Sequence, residues 1–127
     1  MKKVVIPCSG MGKALGAVTR ETILLLPDSK SPHEYRTVCL PLLMTDDDES
    51  KRIVLESAVY TIDGCAKKCA STVVKHVGAT PVMEILAARV LAEHREHKPE
   101  TVLDVGDGGR LLAKDIVEII ANDGGTD

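Results

Sequence analysis

The sequence predicts a single-domain α/β protein: an open, mostly parallel three-layer sheet with helices on both faces, of the Rossmann-like class. Three observations carry this expectation. The chain has 127 residues, enough for one compact domain and too few for two ordinary ones. Short β-branched runs alternate with stretches of helical periodicity, the pattern of repeated strand–helix units. Phe and Trp are absent, so Val, Ile, Leu and Ala must fill the core, which suits the aliphatic strands of a sheet covered on both sides.

The elements follow in order. Val4, Val5 and Ile6 make Lys3 to Pro7 a buried first strand. Cys8-Ser9-Gly10-Met11-Gly12 is a turn. Leu15, Val18, Ile23 and Leu26 recur at helical spacing from Lys13 onward, and Pro27-Asp28 stops that helix. A polar loop over Ser29 to His33 precedes a second strand from Tyr35 to Leu40, closed by Pro41. Thr45 and the acids after it open a helix that runs to Leu55 or Glu56, since capping side chains and negative charge favour a helix N-terminus. Ala58 to Ile62 reads as a third strand. After Asp63-Gly64, a helix is expected from Cys65 to His76, with Gly78 ending it.

Pro81 to Leu86 reads as a fourth strand, yet Glu84 to His97 is equally rich in helix formers, and periodicity leaves both open. Val102 to Val105 suggests a short extended piece. Leu112, Ile116, Val117 and Ile120 define one face of a last helix from Arg110 to Ala121. The single domain is placed at residues 1–122, and residues 123–127 read as a fraying tail.

The composition narrows function. Hydrophobic residues make up 44% and charged residues 28%, a profile of globular rather than disordered chains. The formal charge of -3, scattered basic residues and the lack of interleaved aromatics argue against a nucleic-acid partner. The apolar run behind Met1-Lys2-Lys3 is too short for a signal peptide or membrane span, so a cytoplasmic protein with no membrane partner is expected.

In a reducing compartment, cysteines point to metal or redox chemistry more than to structural disulfides. Cys8 follows the first predicted strand, Cys39 sits near the end of the second, and Cys65 lies just past the third. Ligands of open α/β sheets collect at this carboxyl edge of the strands. Cys65 and Cys69, placed on one predicted helix, would share a face with Cβ atoms roughly 5–6 Å apart. That is wider than the roughly 3.8 Å of a disulfide, whereas a metal with sulfur bonds near about 2.3 Å spans it. The predicted helix start and Lys67 and Lys68 would favour the thiolate form.

The segment Ile62-Asp63-Gly64-Cys65-Ala66-Lys67-Lys68-Cys69-Ala70 resembles the central motif of the DGC-domain family, described as zinc-binding from its four potential chelating cysteines. Cys8-Ser9-Gly10 and Cys39-Leu40-Pro41 resemble that family's other cysteine segments, in the same order. The resemblance implies Cys8, Cys39, Cys65 and Cys69 as metal ligands, with zinc as the metal, and supplies no reaction. An iron–sulfur cluster is a further occupant that four thiolates suit. Asp63, between strand and helix, is expected to cap the helix or orient a ligand through the backbone near Cys65.

Other motifs fall short. Gly10, Gly12 and Gly16 depart from a dinucleotide fingerprint, and Lys13-Ala14 fits neither a Walker phosphate loop nor a cysteine-phosphatase loop. Backbone N–H groups at Ser9 to Gly12 could hold an anion, but tight-turn glycines account for them equally well. Ser9 lacks a His–acid partner nearby in sequence. His94 and His97 lie among Glu93, Arg95, Glu96 and Lys98 and read as a solvated helix face. His33 and His76 need no ligand role, and Asp104 and Asp107 do not match a calcium loop. The functional expectation is therefore a zinc-binding domain with a structural, sensory or metal-handling role. The alternative is a thiol redox or sulfur-transfer protein using Cys65 with Cys8 or Cys69.

Overall fold

The computed structural model describes residues 2–10, 12–26 and 35–124. Its elements in chain order are β1 (Lys3–Pro7), α1 (Ala14–Leu25), β2 (Tyr35–Arg36), α2 (Leu40–Met44), α3 (Asp48–Leu55) and β3 (Ala58–Asp63). Then follow α4 (Cys69–His76), β4 (Met83–Leu86), α5 (Ala87–Glu93), a 3-10 turn over Arg95–His97, and α6 (Gly106–Gly124). The four strands are all parallel, in the order β2-β1-β3-β4.

Alternation along the strands divides the core in two. Val5, Tyr60 and Ile62 face one side and pack on Val18 of α1, Val90 of α5 and Leu112 and Ile116 of α6. Val4, Ile6 and Val59 face the other and pack on Leu43 of α2, Ile53 and Val54 of α3 and Val74 of α4. This is the expected three-layer arrangement. The first connection, through α1, leads from β1 to β2, and the later ones build outward in the opposite direction through β3 and β4. Helices change faces where that direction reverses, as a constant crossover hand requires. The reversal leaves a crevice between the carboxyl ends of β1 and β3, the usual ligand position in such sheets.

Several local expectations change. The second strand is only Tyr35–Arg36, and Leu40 already begins α2. Pro41 does not close a strand; it sits in the first helical turn, where its missing N–H costs nothing. The acidic segment caps at Asp47 rather than Thr45, with the Asp47 carboxylate accepting from the Ser50 N–H at 3.0 Å and the Ser50 hydroxyl at 2.8 Å. Residues 81–97 contain both of the competing readings: a strand over Met83–Leu86 passes directly into a helix at Ala87.

Val102 to Val105 forms bends and no strand, because Thr101 and Asp104 close a tight turn through their own side chains and backbone. The last helix starts at Gly106 and continues to Gly124, beyond the expected Ala121. Its final turn is tied to the sheet by the Tyr60 hydroxyl, which donates to Asp123 at 2.7 Å. The expected loop over Ser29 to His33, the stop at Pro27-Asp28 and residues 125–127 lie outside the described residues. No described helix is long and apolar enough to cross a membrane.

The Ser50 backbone N–H, and then its hydroxyl, hold the Asp47 carboxyl below its ordinary value of 3.8. A depressed folded-state value means that the cap stabilises above the unfolded value and is lost as pH falls through the folded one. Asp47→Ala is expected to lower the thermal midpoint at pH 7, with the gap to the wild type narrowing on acidification below about pH 4. Parallel melts across that range check this; a gap that stays constant would mean the cap acts without its charge.

Candidate metal centre

The crevice is built around Cys8. Its backbone N–H continues the sheet by donating to the Ile62 carbonyl at 2.9 Å, so the chain leaves β1 alongside the end of β3. Ser9 then turns sharply, with φ 54. Thr19 of α1 anchors that turn: its hydroxyl donates to the Gly16 carbonyl at 2.6 Å and accepts from the Ser9 N–H at 3.0 Å. The same hydroxyl lies 3.6 Å from the Cys8 sulfur, and the Gly64 N–H donates to that sulfur at 3.4 Å. Cys8 is thus held from both α1 and the loop after β3.

Glycine is required here for close approach. A Cβ on Gly64 would meet the Gly16 nitrogen at 2.8 Å and the Leu15 carbonyl carbon at 2.9 Å, and one on Gly16 would run into the Gly10 carbonyl. Gly10 and Gly12 have open space around them, and among the described residues of this turn the positive φ belongs to Ser9. A tight turn therefore does not explain those two glycines, while Gly16 is explained by packing. Met11 lies outside the described residues.

The largest departure from expectation concerns Cys65. It is not in a helix: residues 64–68 form a turn closed by the Lys68 N–H on the Cys65 carbonyl at 3.0 Å, and Lys68 is left-handed at φ 52, ψ 52. Helix α4 begins at Cys69, so the two thiols do not share a helical face. Asp63 explains the later start. Buried at the end of β3, its carboxylate accepts from the Ala70 N–H at 2.7 Å, the Ser71 N–H at 3.2 Å and the Ser71 hydroxyl at 2.6 Å. Asp63 caps α4 across the intervening loop, and the Ser71 hydroxyl also pairs with Thr61 at 2.7 Å. The expected capping role is present, directed at Ala70 and Ser71. On the outer side of α4, Lys75 and Glu84 pair at 3.1 Å, and the ammonium holds the Glu84 carboxyl below the usual range.

All four cysteines are free thiols; Cys8 and Cys65 are half-buried, Cys39 and Cys69 exposed. Cys39 stands at the N-cap of α2 rather than on a strand. A cavity of about 930 Å³ is lined by Cys8, Cys39 and Cys69 together with Arg20, Lys67 and Thr72. A second, of about 240 Å³, is lined by Cys8, Cys65 and Cys69 with Lys13, Lys67 and Gly64. Cys8, Cys69 and Lys67 border both, so the four thiols ring two adjoining spaces at one end of the sheet. Among the described residues, no three of these sulfurs lie within 4.8 Å of one another.

His76 ends α4, as expected, and His33 lies outside the described residues. His94 and His97 do not form a solvated face of one helix. His94 follows the end of α5, His97 lies in the 3-10 turn, and both side chains turn toward Asp115 of α6. Asp115 is 18 residues beyond His97, a separation that local periodicity does not join.

The fold and this crevice define a class: a parallel α/β domain with a cysteine-lined pocket at its topological switch point. The model of the DGC domain matches residues 4–107, and the chain belongs to the DGC-domain family. The match spans all three segments that carry the cysteines. No curated protein and no solved structure matches the chain.

Two substitutions test this construction. Asp63→Ala removes the acceptor for three buried donors and is expected to cost about 2 kcal/mol in urea unfolding. Amide exchange at residues 64–71 should accelerate more than in the strands. Gly64→Ala, forced against the α1 backbone, is expected to cost about 1–3 kcal/mol by the same measurement; an unchanged midpoint would show that the two loops can separate freely.

Proposed function

We propose that Cys8, Cys39, Cys65 and Cys69 hold one zinc ion and that the protein's role is structural, sensory or metal-handling, in a reducing cytoplasm. The observation that supports this reading best is the shared border of the two cavities: Cys8 and Cys69 line both, Cys39 lines the larger and Cys65 the smaller. The donor chemistry fits, since four thiolates are a common zinc set. In that set the sulfurs stand about 3.8 Å apart at zinc–sulfur bonds of about 2.3 Å. One staggered χ1 change moves a cysteine sulfur by about 3 Å, and the exposed Cys39 and Cys69 have room to make it.

Zinc bound by all four thiolates would be closed to substrate, lending the loops structure or reporting metal supply rather than driving hydrolysis. The protein's own contribution is positional. Gly64 N–H supports the Cys8 sulfur, Asp63 fixes the start of α4 and hence Cys69, and Lys67 offsets negative charge from both cavities. If Cys39 or Cys69 stays outward, an exchangeable position results, which suits metal transfer.

A second reading has its own support: Cys8, Cys65 and Cys69 share the smaller cavity with two lysines. There Cys65 with Cys8 or Cys69 could exchange with a disulfide partner. The two thiols would lose two protons and two electrons to form one internal bond, while the partner's S–S bond becomes two thiols.

Metal analysis of anaerobically purified protein separates these readings. The expected result is near one zinc per chain, colourless, with metal lost in each of the four single Cys→Ser variants. Four freely reactive thiols with no metal would overturn the zinc reading, and visible absorption would indicate iron instead.

A further inference from the structure

A second group of potential ligands shares no residue with the cysteine crevice. His94, His97 and Asp115 each offer a ligand atom, and these atoms all lie within 4.8 Å of one another. We propose that they form an independent site for a borderline divalent cation, zinc being the best match, with two imidazoles and one carboxylate as ligands and a fourth position open to water. The proposal stands apart from the cysteine reading, because it uses different residues on different elements.

The geometry carries it. The Nδ1 of His97 lies 2.6 Å from Asp115 Oδ2, and the Nδ1 of His94 lies 3.8 Å from the same oxygen. The two rings stack with centroids 5.5 Å apart and planes within 2°. The shorter contact is a hydrogen bond; the longer one exceeds hydrogen-bonding range, so hydrogen bonding does not account for the convergence of both rings. Tetrahedral zinc, with bonds of about 2.0–2.2 Å to N and O, places its donors about 3.3–3.6 Å apart. That spacing falls between the two observed distances, and the two imidazole donors lie within 4.8 Å of each other, so shifts of about 1 Å would seat an ion. Nitrogen and carboxylate donors suit zinc, cobalt or nickel more than magnesium or calcium.

The surroundings are also those of a ligand set. The outer nitrogen of His97, Nε2, lies 3.7 Å from Glu96 Oε1, beyond hydrogen-bonding range but near enough for that exposed carboxylate to close in and orient a ligating ring. His97 and Asp115 are 19% and 18% exposed, whereas His94 is 40% exposed, leaving the approach open on its side. The turn is set by the backbone: the Leu91 carbonyl accepts from His94 and the His94 carbonyl from His97, at 3.0 and 2.8 Å. Immediately beyond, Lys98 packs so closely on α6 that a Cβ on Gly108 would strike its carbonyl. The histidine segment is therefore seated on the helix that supplies Asp115.

The test is a zinc titration of the reduced full-length chain, followed by the ring-nitrogen resonances of its histidines. The signals of His94 and His97 are expected to shift together and saturate at one ion per chain beyond any held by cysteine, while His33 and His76 stay unmoved. His94→Ala leaves the His97–Asp115 bond in place and should weaken the response at His97 at least about tenfold. Asp115→Asn, which keeps a hydrogen-bonding group of the same shape, should do likewise, and Cys8→Ser should leave this site unchanged. Histidine signals that do not move under excess zinc would overturn the proposal. So would undiminished binding at His97 in a folded His94→Ala or Asp115→Asn variant.

Discussion

The Asp63 carboxylate, buried where β3 ends, is the contact on which the cysteine-bearing end of the molecule depends. A charged group in such a position needs its oxygens engaged, and the Ala70 and Ser71 N–H groups with the Ser71 hydroxyl engage them. Because those donors lie beyond residues 64–68, satisfying Asp63 draws the start of α4 back against the strand and closes the loop between. Cys65 rides on that loop and Cys69 opens the helix behind it. Thr61, paired with Ser71, extends the same network down the strand. The motif's aspartate thus acts as a clasp that positions the segment carrying the two thiols.

Close backbone contact completes the arrangement from the other side. Gly64 and Gly16 let the loop after β3 lie on the first turn of α1, and Thr19 fastens the turn after β1 to the same helix. Cys8 is confined between them. The aliphatic core supports this precision, because Val5, Ile6 and Ile62 are wholly buried and hold β1 and β3 in register beneath the crevice.

Much of this was legible in the chain. The β-branched run of β1, the periodicity of α1 and α6 and the strand at Ala58 announced themselves, since each obeys a local rule of side-chain alternation. Errors arose where two local rules compete. Pro41 can end a strand or enter a helix; Leu40 and Leu43, packing under β1, select the helix. For residues 65–68 the spacing points to a helix, yet a cap from Asp63, earlier in the chain, sets the helix start at Cys69. At His94 and His97 the charged neighbours suggested solvent, while the partner that matters lies on α6.

The linear chain is enough for the fold class, the order of the cysteine segments and the family to which they belong, because strand patterning and motif order are properties of the chain before it folds. Tertiary structure alone decided which thiols border which cavity, why Gly16 and Gly64 must be glycine, and that two histidines meet Asp115. Each of those depends on the distance between segments that only packing brings together. The two β-strands that flank the switch point, adjacent in the sheet though more than fifty residues apart in the chain, are the clearest instance.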